Sequence, residues 1–369
     1  EQVHQLTLAE LRAPGGGDPL AAAARTHREL RLRIAHRLRD FLFLPYEVLA
    51  NPHVRSLHEK YVGAYLMHED FGELSSQEQV DHYWLALART FEENTHVTRL
   101  LGHGRRQLAR MNPDLVPTLD AFLTRFFLSR MGTHLLGANF LQAVAPPSGA
   151  RKPAGVAMGV LQPTSPAGFV RDLAGSVQDS ASSRAAGGSA VPVEVEGIAD
   201  SATILYVPGH LRVVLREVMR NAVEATLRIA ETTGAAPEPV RVKITRGQFG
   251  VFVTVSDRGG GIRPETSIWD WGTAVMPAPS SNALGDDEWS DGEGDAQDPP
   301  GAGHAGSGPR QLPLGFGLPL ARLTARYFGG DLRLQTLLGH GTNAYIHIPE
   351  LHERGSLGGD FAAGSYATA

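Results

Sequence analysis

The spacing of apolar residues changes once along this chain, near residue 145, and that change decides the predicted fold class. Before it, apolar residues recur mostly at steps of three and four, as on the buried face of a helix. The clearest such series is Leu115, Leu119, Phe122, Leu123, Phe126, Phe127, Met131, Leu135 and Leu136. Prolines interrupt the pattern at Pro45, Pro52 and Pro113, so residues 20–145 are predicted to form a helical bundle with short connections.

Residues 145–153 are rich in proline and are predicted to link this bundle to a second domain at residues 154–353. In that domain, alternating β-branched runs with glycine turns predict two hairpins, from Val240 to Asp257 and from Leu332 to Ile348. The other predicted elements are two strands at residues 156–161 and 191–195 and three helices at residues 169–177, 208–232 and 316–328. This order favours a mixed sheet with helices on one face, and therefore an α+β fold in which an α/β sandwich follows the bundle.

Composition excludes several classes of function. The chain has 369 residues and no cysteine, so disulfides, zinc–thiolate sites and thiol nucleophiles are excluded. The net charge of -5 gives no global basic surface for nucleic acid. No apolar run approaches the roughly 18 residues that a membrane span needs. Residues Glu1 to Leu11 show neither an apolar run nor the Arg-rich pattern of a targeting segment.

Three segments are predicted to lack fixed structure. They are a flexible arm at residues 1–19, an insertion at residues 280–308 and a tail at residues 354–369. The insertion consists almost wholly of Gly, Pro, Ala, Ser, Asp and Glu and lies inside the second domain. A long segment of this composition inside a domain is typical of a functional lid or an added loop.

The first motif that suggests chemistry is Glu217-Val-Met-Arg-Asn221. Its end residues are four apart, so on a helix both side chains share one face. Magnesium is often held by one or two protein oxygens together with phosphate and water, and these side chains supply such oxygens. Taken alone, the motif is more simply interpreted as the solvated stripe of an amphipathic helix.

Asp257-Arg-Gly-Gly-Gly261 follows a predicted strand, where glycines let the backbone approach a ligand closely. The aspartate could accept a hydrogen bond from an exocyclic amine such as that of adenine. Gly315-Phe-Gly317 precedes a predicted helix, whose first amides favour phosphate. Gly339-His-Gly-Thr342 is a tight turn with a hydroxyl. Each of these motifs alone is also consistent with an ordinary turn.

The order of the four motifs is more informative than any one of them. A Glu-x-x-x-Asn helix is followed by a strand ending in Asp-x-Gly-x-Gly, then the insertion, a Gly-x-Gly helix start and a Gly-x-Gly-Thr turn. This combination resembles the ATP-binding domain shared by gyrase-type ATPases, heat-shock chaperone ATPases, bacterial histidine kinases and mitochondrial dehydrogenase kinases.

The rest of the chain resembles one member family, the mitochondrial protein kinases of the pyruvate and branched-chain 2-oxoacid dehydrogenase complexes. The matching segments are residues 28–38, Leu44-Pro45, Asn51-Pro52, Ser129-Arg-Met-Gly132, Asp257 to Ile262, Gly317-Leu-Pro319 and residues 325–332. Arg33-Ile-Ala-His36 and Gly261-Ile262 favour the branched-chain type, whereas Tyr327-Phe328 favours the pyruvate type.

The resemblance implies an activity: serine/threonine phosphorylation of a dehydrogenase E1α subunit in the mitochondrial matrix, with ATP and Mg²⁺. It implies that Glu217 is the general base, that Asn221 holds magnesium and that Asp257 recognises adenine. The remaining implied nucleotide contacts are Gly259, Gly261, Gly272, Thr273, Leu314, Gly315, Phe316, Gly317, Leu318 and Thr342. It also implies a homodimer formed through the ATP domain, a bundle that binds the lipoyl domain of the E2 core, and in some members potassium.

Three positions depart from the family pattern. Pro313 stands where the glycine loop has a further glycine, which stiffens that position. Glu224 replaces a basic residue three positions after Asn221 and places a negative charge near the predicted phosphates. Asn343 replaces a usual aspartate, and the insertion is longer and more acidic than in the family.

Two alternatives remain open from the sequence. A histidine kinase would need an acceptor histidine on a helix just before the ATP domain, and His134 is the residue so placed, although no acidic residue adjoins it. A nucleotide-binding scaffold would bind ATP without turnover, if Glu224 and Pro313 impair transfer.

Overall fold

The structure is a computed structural model, and it describes residues 18–94, 96–153, 155–182, 190–197, 202–273 and 314–351. The predicted insertion at residues 280–308 and the tail at residues 354–369 lie outside these residues, as do Pro313 and all but the last two positions of the arm.

In the described part of the chain, six α-helices form the N-terminal bundle. They are α1 (Pro19–Phe41), α2 (Tyr46–Leu49), α3 (Pro52–Phe71), α4 (Gln77–Glu93), α5 (Val97–Met111) and α6 (Val116–Ala143), with a 3₁₀ turn at Pro113–Leu115. Local chemistry sets the helix starts. The Asn51 side chain accepts hydrogen bonds from the amides of His53 and Val54, and Ser76 forms a capping box with Gln79. The predicted helical bundle is therefore confirmed.

The second half of the chain carries a mixed sheet. Its elements are a 3₁₀ turn (Ala157–Gly159), β1 (Gln162–Thr164), α7 (Pro166–Ser182), β2 (Val193–Gly197), β3 (Ile204–Tyr206), α8 (Pro208–Thr233), β4 (Val240–Gly247), β5 (Gly250–Ser256), α9 (Gly317–Tyr327), β6 (Asp331–Leu337) and β7 (Gly341–Pro349). The main sheet has the order β2-β4-β5-β7-β6, in which only β2 and β4 run parallel. Strands β1 and β3 form a separate antiparallel pair.

Helices cover one face of the main sheet. In β4, Val240, Val242 and Ile244 are buried, whereas the alternate residues Arg241 and Lys243 are exposed. Helices α8 and α9 pack on the apolar side. This is the predicted α+β class, and both predicted hairpins are present.

One predicted strand is wrong. Residues 156–161 contain the 3₁₀ turn, and the strand of this region follows it at Gln162–Thr164. Gly155 has a positive φ of 86° and Gly159 packs against Ala138 of α6, so the backbone turns where the apolar run suggested extension. The strand predicted at residues 191–195 lies at Val193–Gly197.

The bundle and the sheet domain share an apolar core. The larger of two buried clusters extends from Phe122 in α6 through Leu215 in α8 to Val253 in β5. A core that continues across the boundary holds the two halves together more firmly than a polar domain interface would. None of the described helices is long and apolar enough to cross a membrane. The predicted boundaries of the two domains stay a prediction.

Candidate nucleotide site

Helix α8 forms the floor of the candidate site. Pro208 occupies its first turn, and Gly234, with a φ of 69°, ends it in the left-handed conformation. The apolar side of the helix is buried, including Leu211, Leu215 and Val218. Glu217 and Asn221 lie one turn apart at the edge of this face and are partly buried, as their spacing predicted.

The start of α9 meets α8 at the carboxylate of Glu217. A Cβ at Gly317 would overlap with Oε1 and Cδ of Glu217, so only glycine lets the two helices come this close. The first turn of α9 contains Gly317 itself, with Pro319 and Leu320 following. The free amides of that turn therefore lie near the Glu217 carboxylate, and a helix start of this kind favours an anionic ligand.

The Glu217 carboxylate also has a partner on its own helix. Nη2 of Arg220 donates to Oε1 at 2.8 Å and to Oε2 at 3.0 Å. Arg220 stands one position before Asn221, so a cation, a carboxylate and an amide are grouped within five residues of α8. The sequence interpretation did not single out Arg220.

Asp257 lies at the end of β5 with its carboxylate fixed by backbone amides. Its Oδ1 accepts from the amide of Gly259 at 2.8 Å and from the amide of Thr342 at 3.3 Å. Burial raises the pKa of this carboxyl above its ordinary value, while the two amides and the charge of Arg228 oppose the rise. Both of these hydrogen bonds go to Oδ1.

The glycines around Asp257 permit close packing. A Cβ at Gly259 would overlap with Ala225 on α8, one turn beyond Asn221. Gly261, with a φ of 75°, lies against the Leu337 carbonyl in the β6–β7 hairpin. Gly341 packs on the Asp257 carbonyl in the same way. The second and fourth sequence motifs thus meet beside α8.

The third motif lies where the described chain resumes after residue 273. The amide of Gly272 donates to the carbonyl of Gly315 at 2.9 Å, so the two segments are joined directly. Gly272 and Gly315 both have positive φ, at 75° and 70°. A Cβ at Gly315 would overlap with Thr273, so glycine is required at this crossing.

The bundle holds this crossing in place, which the sequence interpretation missed. Trp271 donates from Nε1 to the Thr124 hydroxyl of α6 at 3.0 Å. Its ring stacks on Phe127 with centroids 5.2 Å apart and contacts Phe316 at 5.0 Å. Trp271 and Phe316 are both buried. Phe316 therefore points into the interface between bundle and sheet domain.

Helix α5 supports the same crossing from a second direction. Leu314 packs on Gly102, where a Cβ would come within 2.8 Å of its Cδ1. Arg105 lies against Gly272 and forms a two-bond ion pair with Asp120, at 2.6 and 2.8 Å. Gly102 and Gly104 are the two glycines of α5 and were the available sequence signal for close packing, but nothing local identified the partner of Gly102.

The chemistry of the site suits a nucleotide better than a protein-held metal. No group of three or more His, Asp or Glu in the described part of the chain could hold a metal ion. Asn221 offers one amide oxygen, which fits a magnesium ion bound mainly by phosphates and water. Because Gly259 and Gly317 have no side chain, the backbone after β5 and at the start of α9 lies directly against Ala225 and Glu217 in the middle of α8.

The fold of the second half of the chain is that of the histidine kinase-, DNA gyrase B- and HSP90-like ATPases. The family model for the histidine kinase-, DNA gyrase B- and HSP90-like ATPase matches residues 206–352. The family model for the mitochondrial branched-chain alpha-ketoacid dehydrogenase kinase matches residues 5–160. The chain belongs to the mitochondrial dehydrogenase kinase family, within the histidine-kinase-like ATPase superfamily.

Similar proteins from three organisms match across most of their length. A mitochondrial pyruvate dehydrogenase (acetyl-transferring) kinase of Arabidopsis thaliana is 28% identical over 90% of this chain and 85% of its own. Its counterpart in Schizosaccharomyces pombe is 29% identical over 89% of this chain and 74% of its own. Isozyme 3 of Homo sapiens is 24% identical over 88% and 77%. The chain is an ATP-dependent mitochondrial protein kinase of this family.

Proposed function

We propose that this kinase transfers the terminal phosphoryl group of Mg·ATP to a serine or threonine of a 2-oxoacid dehydrogenase E1α subunit in the mitochondrial matrix. The observation that carries the proposal is the contact of the Glu217 carboxylate with Gly317, beside Asn221. That contact joins a candidate base, a magnesium ligand and a phosphate-binding helix start.

Each residue has a limited task, because phosphoryl transfer needs mostly positioning and charge stabilisation. Glu217 accepts the proton of the substrate hydroxyl, or orients it through water. Asn221 holds the magnesium ion, which neutralises phosphate charge when bound. The backbone from Leu314 to Leu318 wraps the phosphates, helped by the N-terminal amides of α9.

The adenine end of the site is assigned to the β5–β7 edge. Asp257 is oriented by the amides of Gly259 and Thr342, and its Oδ2 would accept from the exocyclic amine of adenine. Gly261 lets the backbone pass close to the base, while the Thr342 hydroxyl, 3.2 Å from that of Thr336, closes the pocket. Gly272 and Thr273, which precede the predicted insertion in the sequence, line the nucleotide.

An assay with purified components would determine which dehydrogenase complex is the substrate. The similar proteins named above are pyruvate dehydrogenase kinases, whereas the family model for residues 5–160 is named for the branched-chain kinase. The chain is incubated with labelled ATP and either pyruvate or branched-chain E1, each with its own E2. Transfer to one E1α supports the proposal and selects the complex; transfer to neither contradicts it.

Further partners are part of the proposal. The open face of the sheet supports a homodimer, because Phe252 and Tyr345 are exposed there to 42% and 41% and Phe252 stacks on His347 at 4.7 Å. Sedimentation of the chain at micromolar concentration tests this. Binding of the lipoyl domain of E2 by the bundle, and a requirement for potassium, rest on the family resemblance and are tested by adding each separately.

The histidine-kinase alternative gains little from the surroundings of His134. Its ring stacks on Phe91 with centroids 4.7 Å apart. Its Nε2 would lie 3.5 Å from a Cβ placed on Gly159, so the ring also packs close to that backbone. Burial, and secondarily the charge of Arg130, lower its pKa to about 4. An acceptor histidine must reach the terminal phosphate, and this ring is packed between other elements. Acid-labile phosphate on the chain would favour this alternative.

The scaffold alternative is separated by measuring two quantities on one sample. ATP affinity is measured by calorimetry and transfer to E1α by label incorporation, across a range of E2 core concentrations. ATP binding without transfer at any E2 concentration favours a scaffold, whereas both together favour the kinase.

A further inference from the structure

Among the described residues, the hydrogen bonds of the Arg220 side chain go to Glu217. Its Nη2 holds both oxygens of Glu217, at 2.8 and 3.0 Å, whereas its buried Nε has no hydrogen-bond partner among the described residues. A buried donor without a partner costs free energy that a new acceptor would recover. The guanidinium is thus paired, but it keeps donor capacity for another anion.

Two carboxylates compete for this cation along α8. Glu217 lies three positions before Arg220 and Glu224 four positions after it, so both lie on its side of the helix. Burial disfavours the charged guanidinium, yet the attraction of Glu217 and Glu224 raises the pKa of Arg220 above its ordinary value. Arg220 is therefore a charged group with two alternative neighbours.

The proposed kinase reaction creates a conflict that Arg220 can resolve. The terminal phosphate must come close to Asn221, and hence to two carboxylates of the same helix face. The negative charges of the phosphate and of the two carboxylates repel each other, and a cation between them reduces that repulsion. In addition, Glu217 cannot freely accept a proton while both its oxygens accept from Arg220.

We propose that Arg220 is the positioning residue that distinguishes ATP from ADP: it holds Glu217 in the nucleotide-free chain and turns to the terminal phosphate when ATP binds. This step rests on the proposed function, because it places the terminal phosphate beside Glu217. Glu224 keeps the turned guanidinium neutralised from its other side. Glu224 stands where the family has a basic residue. Arg220 lies between Glu217 and Glu224 on α8, and its positive charge balances the negative charge that Glu224 adds.

The test is the ratio of ATP to ADP affinity, measured by calorimetry with magnesium and without any E1. Arg220→Gln should weaken ATP about tenfold, the effect of one charge-assisted hydrogen bond, and leave ADP within about twofold. Arg220→Lys should retain part of the preference for ATP, because it keeps the charge but not the two-pronged geometry. Arg212→Gln, on the same helix, is the matched control and should leave both affinities unchanged.

Two results would overturn the proposal. If ATP and ADP affinities fall together in Arg220→Gln, Arg220 has a structural role only. If the ratio of ATP to ADP affinity is the same in Arg220→Gln as in the wild type while its rate of E1α phosphorylation rises, the role of Arg220 is only to restrain Glu217. Failure of the proposed kinase function gives a different result from failure of the Arg220 proposal. In that case the wild-type chain transfers no phosphate to E1α, but Arg220→Gln still loses its preference for ATP over ADP if Arg220 contacts the terminal phosphate.

Discussion

The backbone of Gly317 lies directly against the carboxylate of Glu217, although the two residues are 100 positions apart. A side chain at position 317 would overlap with Oε1 and Cδ of the glutamate. This contact ties the helix that carries the proposed base to the helix start that is expected to bind phosphate. The distance between the proposed base and the amides expected to bind phosphate therefore depends on the absence of a side chain at position 317.

Gly317→Ala should disable transfer by displacing Glu217 or the start of α9. A misplacement of about 1 Å can reduce a rate by roughly two orders of magnitude, and that is the expected loss in E1α phosphorylation. Gly63→Ala, inside α3 with open space around it, is the matched control and should leave activity unchanged. Equal activity in Gly317→Ala would show that the close approach has no role in catalysis.

Glu217→Gln should separate binding from chemistry. The amide keeps the shape of the side chain but cannot take a proton, so phosphorylation of E1α should fall by about 10²–10⁴. ATP affinity, measured by calorimetry, should stay within a few-fold. Asn221→Ala should show the reverse order of effects, with magnesium-dependent ATP binding lost first. Normal transfer by Glu217→Gln would remove Glu217 from the role of base.

The hydrogen bond from Trp271 to Thr124 should couple the bundle to the nucleotide site. The free energy of unfolding is measured for Trp271→Phe, Thr124→Val and the double variant. Each single change should cost at least about 1 kcal/mol, because Trp271→Phe also removes buried ring area and Thr124→Val also removes the hydrogen bond from the Thr124 hydroxyl to the Asp120 carbonyl. The double variant should cost less than the sum of the two, because both single changes remove the bond between the two side chains. ATP affinity should fall in step with stability. Strict additivity would mean that the bond contributes nothing.

The features predicted well from the sequence are those with local causes. The β4–β5 hairpin follows from alternating β-branched residues on either side of Gly247 and Gly250, and these two glycines pair with each other at its turn. The start of α8 follows from Pro208 and its end from Gly234. The spacing of Glu217 and Asn221 placed them on one helix face without knowledge of the fold.

The features that were missed depend on contacts between distant segments. Trp271 and Thr124 are 147 positions apart, and nothing in either neighbourhood indicates the other. Leu314 reaches Gly102 in the same way. The strand expected at residues 156–161 failed for a different reason: a short apolar run fits a strand or a buried turn equally well, and tertiary packing decides. The assignment of site residues to ligand contacts stays a prediction.

Stability should fall as the pH is lowered from about 6.5 towards 4, because buried histidines resist protonation. Burial, and secondarily nearby charges, lower the pKa of His68 to about 3 and that of His210 to about 3, from an ordinary value of 6.5. In this interval the unfolded chain binds protons that the folded chain does not, so the free energy of unfolding rises with pH. Each residue contributes up to about 1.4 kcal/mol per pH unit.

His68 offers a direct check on this slope. It is 1% exposed, and its Nδ1 has no hydrogen-bond partner among the described residues, so leucine can replace the ring without stranding another polar group at that atom. Urea unfolding at pH 7.5, 6.5, 5.5 and 4.5 should show a shallower dependence for His68→Leu, by about 1 kcal/mol per unit at the acid end. The exposed His82→Gln is the control and should keep the wild-type slope. A slope that is unchanged in His68→Leu would mean that His68 accepts a proton in the folded chain as readily as in the unfolded one.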